Sequence, residues 1–132
     1  SPLKKCIREV RGIDYKEWRR IYSSSKIALT IHYQDGKTLC YQASPRVYEV
    51  LACKSFLLSD DQRDVVRLFE PGMHLDVFSN VDELREKLNY YLKNSEKRKV
   101  IAECGYREVI KKHTYIHRVK EMFNIIRKGE AN

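Results

Sequence analysis

Apolar residues follow two regimes along this chain. Up to about residue 79 they come in short runs separated by mixed stretches, and from Asn80 onward they recur every three or four residues. Residues 7–10, 27–31, 56–59 and 75–78 have strand length, and the middle two runs are almost wholly apolar, as in strands covered on both faces. Asp14 followed by Glu17 predicts a helix to about Tyr22, and Ser44-Pro45 opens a second. Asp61 with Asp64 predicts a third, running to Phe69 before Pro71-Gly72 stops it. Strands alternating with helices predict an α/β part over residues 1–79 with a parallel sheet of about four short strands.

Beyond it the pattern is helical. Asn80 with Glu83 caps a helix carrying Leu84, Leu88 and Leu92 on one face. A second helix starts near Ser95, places Ile101, Gly105, Val109 and Ile110 on one side, and ends near His113. Thr114 caps a third, with Tyr115, Val119, Met122 and Ile126 at helical spacing. Residues 80–132 are therefore expected to form a C-terminal helical cluster on a single domain.

With 132 residues there is room for one core and no second domain. Apolar residues at 42% and charged residues at 33% describe an ordered, rather helical chain. No apolar stretch approaches the ~20 residues needed to cross a bilayer. The chain opens without a leader pattern, and its missing initial Met suggests a cut chain or the remnant of a tag, so a cytoplasmic location is expected. Cys6, Cys40, Cys53 and Cys104 lack metal-ligand spacing and read as reduced, structural thiols.

The net charge of +8 suits an anionic partner. Lys and Arg outnumber Glu over residues 85–128, but neither interleaved aromatics nor a recognition-helix motif accompanies them, so nucleic acid is not the expected partner. His113 and His117 stand at i, i+4, a spacing able to hold zinc, yet Thr114 breaks the helix between them and no third ligand is evident. No metal site is expected.

Chemistry concentrates in residues 44–53, S-P-R-V-Y-E-V-L-A-C, a short helix lodged between two strands. Its N-terminus presents unpaired amides and the positive end of the dipole, a seat for a phosphate. Arg46 adds a bidentate fork in the first turn, and Glu49, three residues on, has a carboxylate able to accept from the two hydroxyls of a ribose. The same pair at i, i+3 also fits an exposed ion pair. Residues 32–43, with a turn at Asp35-Gly36, form a loop at a strand end and are a site candidate by position.

Residues 44–60 resemble the S-x-R-x-F-E-x-L-A-C-G-x-F-L-L-x-D signature of the "glycosyl transferases group 1" family, most closely its spore-maturation-type subgroup. Co-linear matches follow at Leu68-Phe69-Glu70-Pro71-Gly72, Asp82-Glu83-Leu84, Tyr90-Tyr91-Leu92, Ile101-Ala102-Glu103 with Gly105-Tyr106, and His113-Thr114-Tyr115 with His117-Arg118. The resemblance implies the later part of a GT-B C-terminal domain, with a Rossmann-like sheet that binds a nucleotide diphosphate sugar. It implies transfer of the sugar to an acceptor hydroxyl of a glycan, protein or small molecule, with retention and without a metal or other cofactor. By position Glu49 inherits the ribose contact and Arg46 a diphosphate contact, with Ser44 at the helix start. Lys54 stands where the family has a glycine of positive φ, and it offers a cation to a phosphate instead. Tyr41 stands where the wider retaining family carries a second acidic residue.

The resemblance also implies a second Rossmann domain, missing here, that supplies the acceptor site. Two other readings stay open: a non-catalytic interaction module on the same fold, and a basic nucleic-acid-binding domain. A homo-oligomer is compatible with an uncovered sheet edge or domain face.

Overall fold

The computed structural model describes residues 14–32 and 41–130. Three parallel strands lie in the order β1 (Ala28–Thr30), β2 (Leu57–Asp60), β3 (Asp76–Phe78). Leu29 stands beside Leu58, and Ser59 beside Val77. Three of the expected strands are thus in place; the expected run 7–10 and the Asp35-Gly36 turn lie outside the described residues.

Each pair of strands is joined by a helical crossover. Helix α1 (Tyr15–Ser24) precedes β1, α2 (Pro45–Ala52) links β1 to β2, and α3 (Arg63–Leu68) links β2 to β3. The carboxylate of Asp14 accepts from the amides of Lys16 and Glu17, so α1 starts where the capping pattern put it. Helix α3 begins later than expected, with Gln62 rather than Asp61 at its N-cap. The Asp61 amide is held by the Phe78 carbonyl at 2.9 Å, which keeps that residue out of the helix.

All four residues of β2 are buried, and its side chains divide between two cores. Leu57 joins Val47, Val50, Leu51, Val65, Phe69, Leu75 and Val109 on one face. Leu58 joins Phe56, Phe78, Tyr91, Ile101 and Ala102 on the other. This two-sided burial is why the run reads as continuously apolar. The result is a Rossmann-like α/β domain with helices on both faces of a parallel sheet.

The C-terminal helices are α4 (Val81–Lys93), α5 (Ser95–Lys112) and α6 (Tyr115–Glu130). Asn80 Oδ1 accepts from the Glu83 amide, and Glu83 Oε2 accepts from the Ser79 amide, fixing the start of α4. Its inward face is Leu84, Leu88 and Tyr91; Leu92, expected there, is half exposed. Tyr91 turns in because buried Asp76 accepts its hydroxyl at 2.7 Å while accepting from Lys87 Nζ at 3.1 Å. Burial, reinforced by Asp76, holds the Tyr91 hydroxyl well above the usual phenol range.

Helix α5 buries Ile101, Ala102, Gly105 and Val109, while Ile110 stays half exposed. Gly105 is required by close approach: a Cβ there would lie 2.2 Å from the His74 carbonyl oxygen and 2.9 Å from Leu51 Cδ2. Helix α6 has an apolar stripe as expected, but Tyr115, Val119, Met122, Phe123 and Ile126 are exposed, and none of residues 115–129 is buried. No helix of the described residues is long and apolar enough to cross a membrane.

Candidate functional site

Helix α2 points its N-terminus toward the carboxyl ends of β1 and β2. Pro45 occupies the first helical position, where a missing N–H costs nothing. Ser44 takes the N-cap position in extended conformation, but its hydroxyl makes no capping bond. Its carbonyl accepts from the Val47 amide at 3.0 Å, and its own amide donates to His32 Nε2 at 3.2 Å. The Ser44 hydroxyl has no hydrogen-bond partner among the described residues, and the Arg46 amide, in the first turn, has no helical carbonyl before it.

A concavity of about 350 Å³ opens over this terminus, lined by Ile31, His32, Gln42, Ser44, Pro45, Arg46 and Glu49. Three sequence-predicted residues, Ser44, Arg46 and Glu49, thus share one site. Arg46 and Glu49 both lie close enough to the Tyr22 hydroxyl of α1 for their charges to act on it. Burial raises the Tyr22 phenol, Arg46 pulls it down, and Glu49 and Cys53 push it up; the net direction is up. Tyr22 stays protonated at neutral pH. Glu49 also borders an adjoining apolar cleft of about 370 Å³, with Tyr48, Val109, His113 and Tyr115 on its walls.

His32, which the sequence offered only as the first residue of the 32–43 candidate loop, and Asp60, which it did not single out, hold this site in place. His32 follows β1, and its side chain is 1% exposed. Its Nε2 accepts the Ser44 amide, so Nδ1 carries the proton and donates to Asp60 Oδ1 at 2.6 Å. Asp60, the last residue of β2, also accepts the His32 backbone amide at 3.1 Å and Gln62 Nε2 at 2.7 Å. The network ties both strand ends to the start of α2. The signal available in the sequence was positional: a polar residue closing each of two apolar strand runs, where α/β sheets carry their sites.

Lys54 lies elsewhere. It follows the C-terminal end of α2, roughly 12 Å along the helix from Pro45 at 1.5 Å per residue. Its φ of 54° makes it the one non-glycine residue of positive φ among those described, as the glycine of the resembled pattern implies. A left-handed lysine costs about 1 kcal/mol. Its Nζ sits 3.2 Å from Glu103 Oε2 and 4.5 Å from the Tyr106 ring centroid, and both contacts help offset that strain. Tyr41 is exposed, with the Arg63 guanidinium over its ring at 5.3 Å.

His113 and His117 have separate partners. Arg118 donates to His113 Nδ1 at 2.8 Å, and Thr114 Oγ1 meets His117 Nδ1 at 2.7 Å. His113 lies beyond the end of α5 and outside α6, so the pair does not share a helix face. Cys53 and Cys104 are free thiols; Cys6 and Cys40 lie outside the described residues. Burial pushes the Cys53 thiol up, with Arg19 opposing.

A helix N-terminus, an arginine and a carboxylate thus surround one concavity at the strand ends of a parallel α/β sheet, the place where such sheets carry their sites. The chain belongs to the glycosyl transferase-like family, whose profile matches residues 4–124. Comparison with curated proteins gave no match, and neither did comparison with solved structures. The family's chemistry is glycosyl transfer, with a sugar donor and an acceptor.

Proposed function

We propose that this chain is the donor-binding half of a retaining GT-B glycosyltransferase, binding a nucleotide diphosphate sugar over the N-terminus of α2. The observation that supports this reading best is the convergence of Ser44, Arg46 and Glu49 on one concavity at the strand carboxyl ends. In this reading the diphosphate sits against the first turn, where the Arg46 amide and guanidinium and the Ser44 hydroxyl converge. Glu49 accepts from the ribose hydroxyls.

As the glycosidic bond breaks, negative charge grows on the departing diphosphate. Fixed donors already aimed at it stabilise that charge without reorganising, so helix dipole and guanidinium take the place of a metal. The His32–Asp60–Gln62 network holds the helix start in that geometry. The acceptor and the groups that activate it belong to a second Rossmann domain, and the uncovered apolar stripe of α6 supports a further protein surface packing on this one. The expected setting is cytoplasmic.

Calorimetric titration with UDP, GDP and their sugars tests the reading. One nucleotide should bind saturably, and Glu49→Ala should weaken it by about tenfold or more, the value of a charge-assisted hydrogen bond pair. Absence of binding by every nucleotide, with Glu49→Ala equally silent, would overturn it.

A further inference from the structure

The cationic surface has a second focus that the donor site does not use. Lys16, Arg19 and Arg20 project from α1 at i, i+3 and i+4, hence from one face of the helix, with Ser23 a turn further on. They line a concavity of about 490 Å³ together with Cys53 and Lys54, which follow α2, and Tyr106 of α5. No carboxylate lines it among the described residues. Among the described residues Lys54 alone of these four cations has a carboxylate within ion-pair distance, Glu103, and Glu103 is shared with Arg107 at 3.0 Å. A second concavity adjoins it, sharing Ser23 and Lys54 and adding Lys26, Arg98 and Lys99.

Two features argue that this is more than a solvated helix face. Like charges at i, i+3 and i+4 repel one another weakly, and an anion seated between them would relieve that repulsion. Lys54, in the left-handed turn that ends α2, lines the same concavity with its ammonium over the Tyr106 ring and 3.2 Å from Glu103 Oε2, so a second basic element meets the α1 face there. Guanidinium forks, ammoniums and a hydroxyl around one hollow are the donor set for a phosphate group. The hollow lies beyond the C-terminal end of α2, so the anion that fills it is not the diphosphate of a donor bound at Ser44 and Arg46.

We infer that Lys16, Arg19, Arg20 and Lys54 form a second anion site that takes a dianionic phosphate group, presented either by a free phosphate or by a lipid headgroup. Two arms separate the sources. In the first, the amides of the full chain are followed by NMR while inorganic phosphate is added at constant ionic strength. In the second, the chain is sedimented with phosphatidylcholine vesicles containing phosphatidic acid.

Saturable shifts at Lys16, Arg20, Ser23 and Lys54 with phosphate assign a free anion; sedimentation with those vesicles and no response to phosphate assigns the headgroup. In either case Arg20→Gln and Lys54→Gly should weaken binding by about tenfold each, the worth of one charge-assisted contact. Lys54→Gly relieves the positive φ, so its loss of binding is not a folding defect. Arg46→Gln, which disables the donor site, should leave the shifts at Lys16, Arg20, Ser23 and Lys54 and the vesicle sedimentation unchanged, and this separates the inference from the proposed function. No binding in either arm, phosphate shifts reproduced by sodium chloride, or binding indifferent to Arg20→Gln and Lys54→Gly would overturn it.

Discussion

Replacing Gly105 by alanine tests how α5 is seated on the rest of the domain. In an exposed helix interior this exchange stabilises by up to about 1 kcal/mol, because alanine loses less backbone entropy. At position 105 the added Cβ would stand 2.2 Å from the His74 carbonyl oxygen and 2.9 Å from Leu51 Cδ2. The first neighbour is backbone in a turn anchored by the His74 amide on the Glu70 carbonyl at 3.0 Å, and the second belongs to a fully buried leucine of α2. Neither can swing away, so α5 must lift from α2 and the turn. Overpacking of this kind costs about 1–3 kcal/mol or more, which outweighs the propensity gain and leaves the variant less stable by about 1–2 kcal/mol.

Gly129, on α6, meets nothing within 4 Å, so Gly129→Ala retains only the helical gain, reduced by its place in the last turn. Urea unfolding followed by far-ultraviolet circular dichroism should move the two midpoints in opposite directions at equal slope. A Gly105→Ala chain as stable as the parent would refute the claim that close approach, rather than helix propensity, fixes that glycine. Since Leu51 belongs to the same helix as Arg46 and Glu49, the variant should also bind nucleotide less tightly.

His32→Ala strips the Ser44 amide and the Asp60 carboxylate of a buried partner, and thermal unfolding should register a loss of about 2–4 kcal/mol; a loss under about 0.5 kcal/mol, usual for surface changes, would count against the network. Burial first, and Arg118 next, lower the His113 pKa against the pull of Glu108. The unfolded chain then binds this proton first, so the stability is present above about pH 6.5 and lost as pH falls below it. His113→Gln should flatten the fall in the urea midpoint between about pH 7 and 5, and identical slopes for the two chains would refute that assignment.

Much of this protein was decided locally. The runs that became β1, β2 and β3 are strands because apolar stretches of that length have few other solutions, although only β2 is buried on both faces and the run of β1, expected to be covered likewise, leaves Leu29 and Ile31 exposed. Asp14, Pro45 and Asn80 mark helix starts by chemistry that needs no distant partner. Lys54 was legible as a positive-φ position from the motif around it. The grouping of Ser44, Arg46 and Glu49 followed from their spacing on one short helix.

What depended on long-range contact was not legible. Asp61 was expected to open α3, but a carbonyl of β3, 17 residues on, claims its amide. Tyr91 displaced Leu92 from the inner face of α4 because Asp76, buried across the sheet edge, needed a donor. His32 and Asp60 stand 28 residues apart and meet only because β1 and β2 pair in parallel. The same pairing carries Lys54 away from Arg46: a helix between parallel strands must run back against them, so its two ends face opposite edges of the sheet. Hydrophobic period and capping chemistry are properties of neighbours in sequence and can be read there; which polar groups satisfy one another in the interior depends on which strands lie side by side, and that only the folded chain decides.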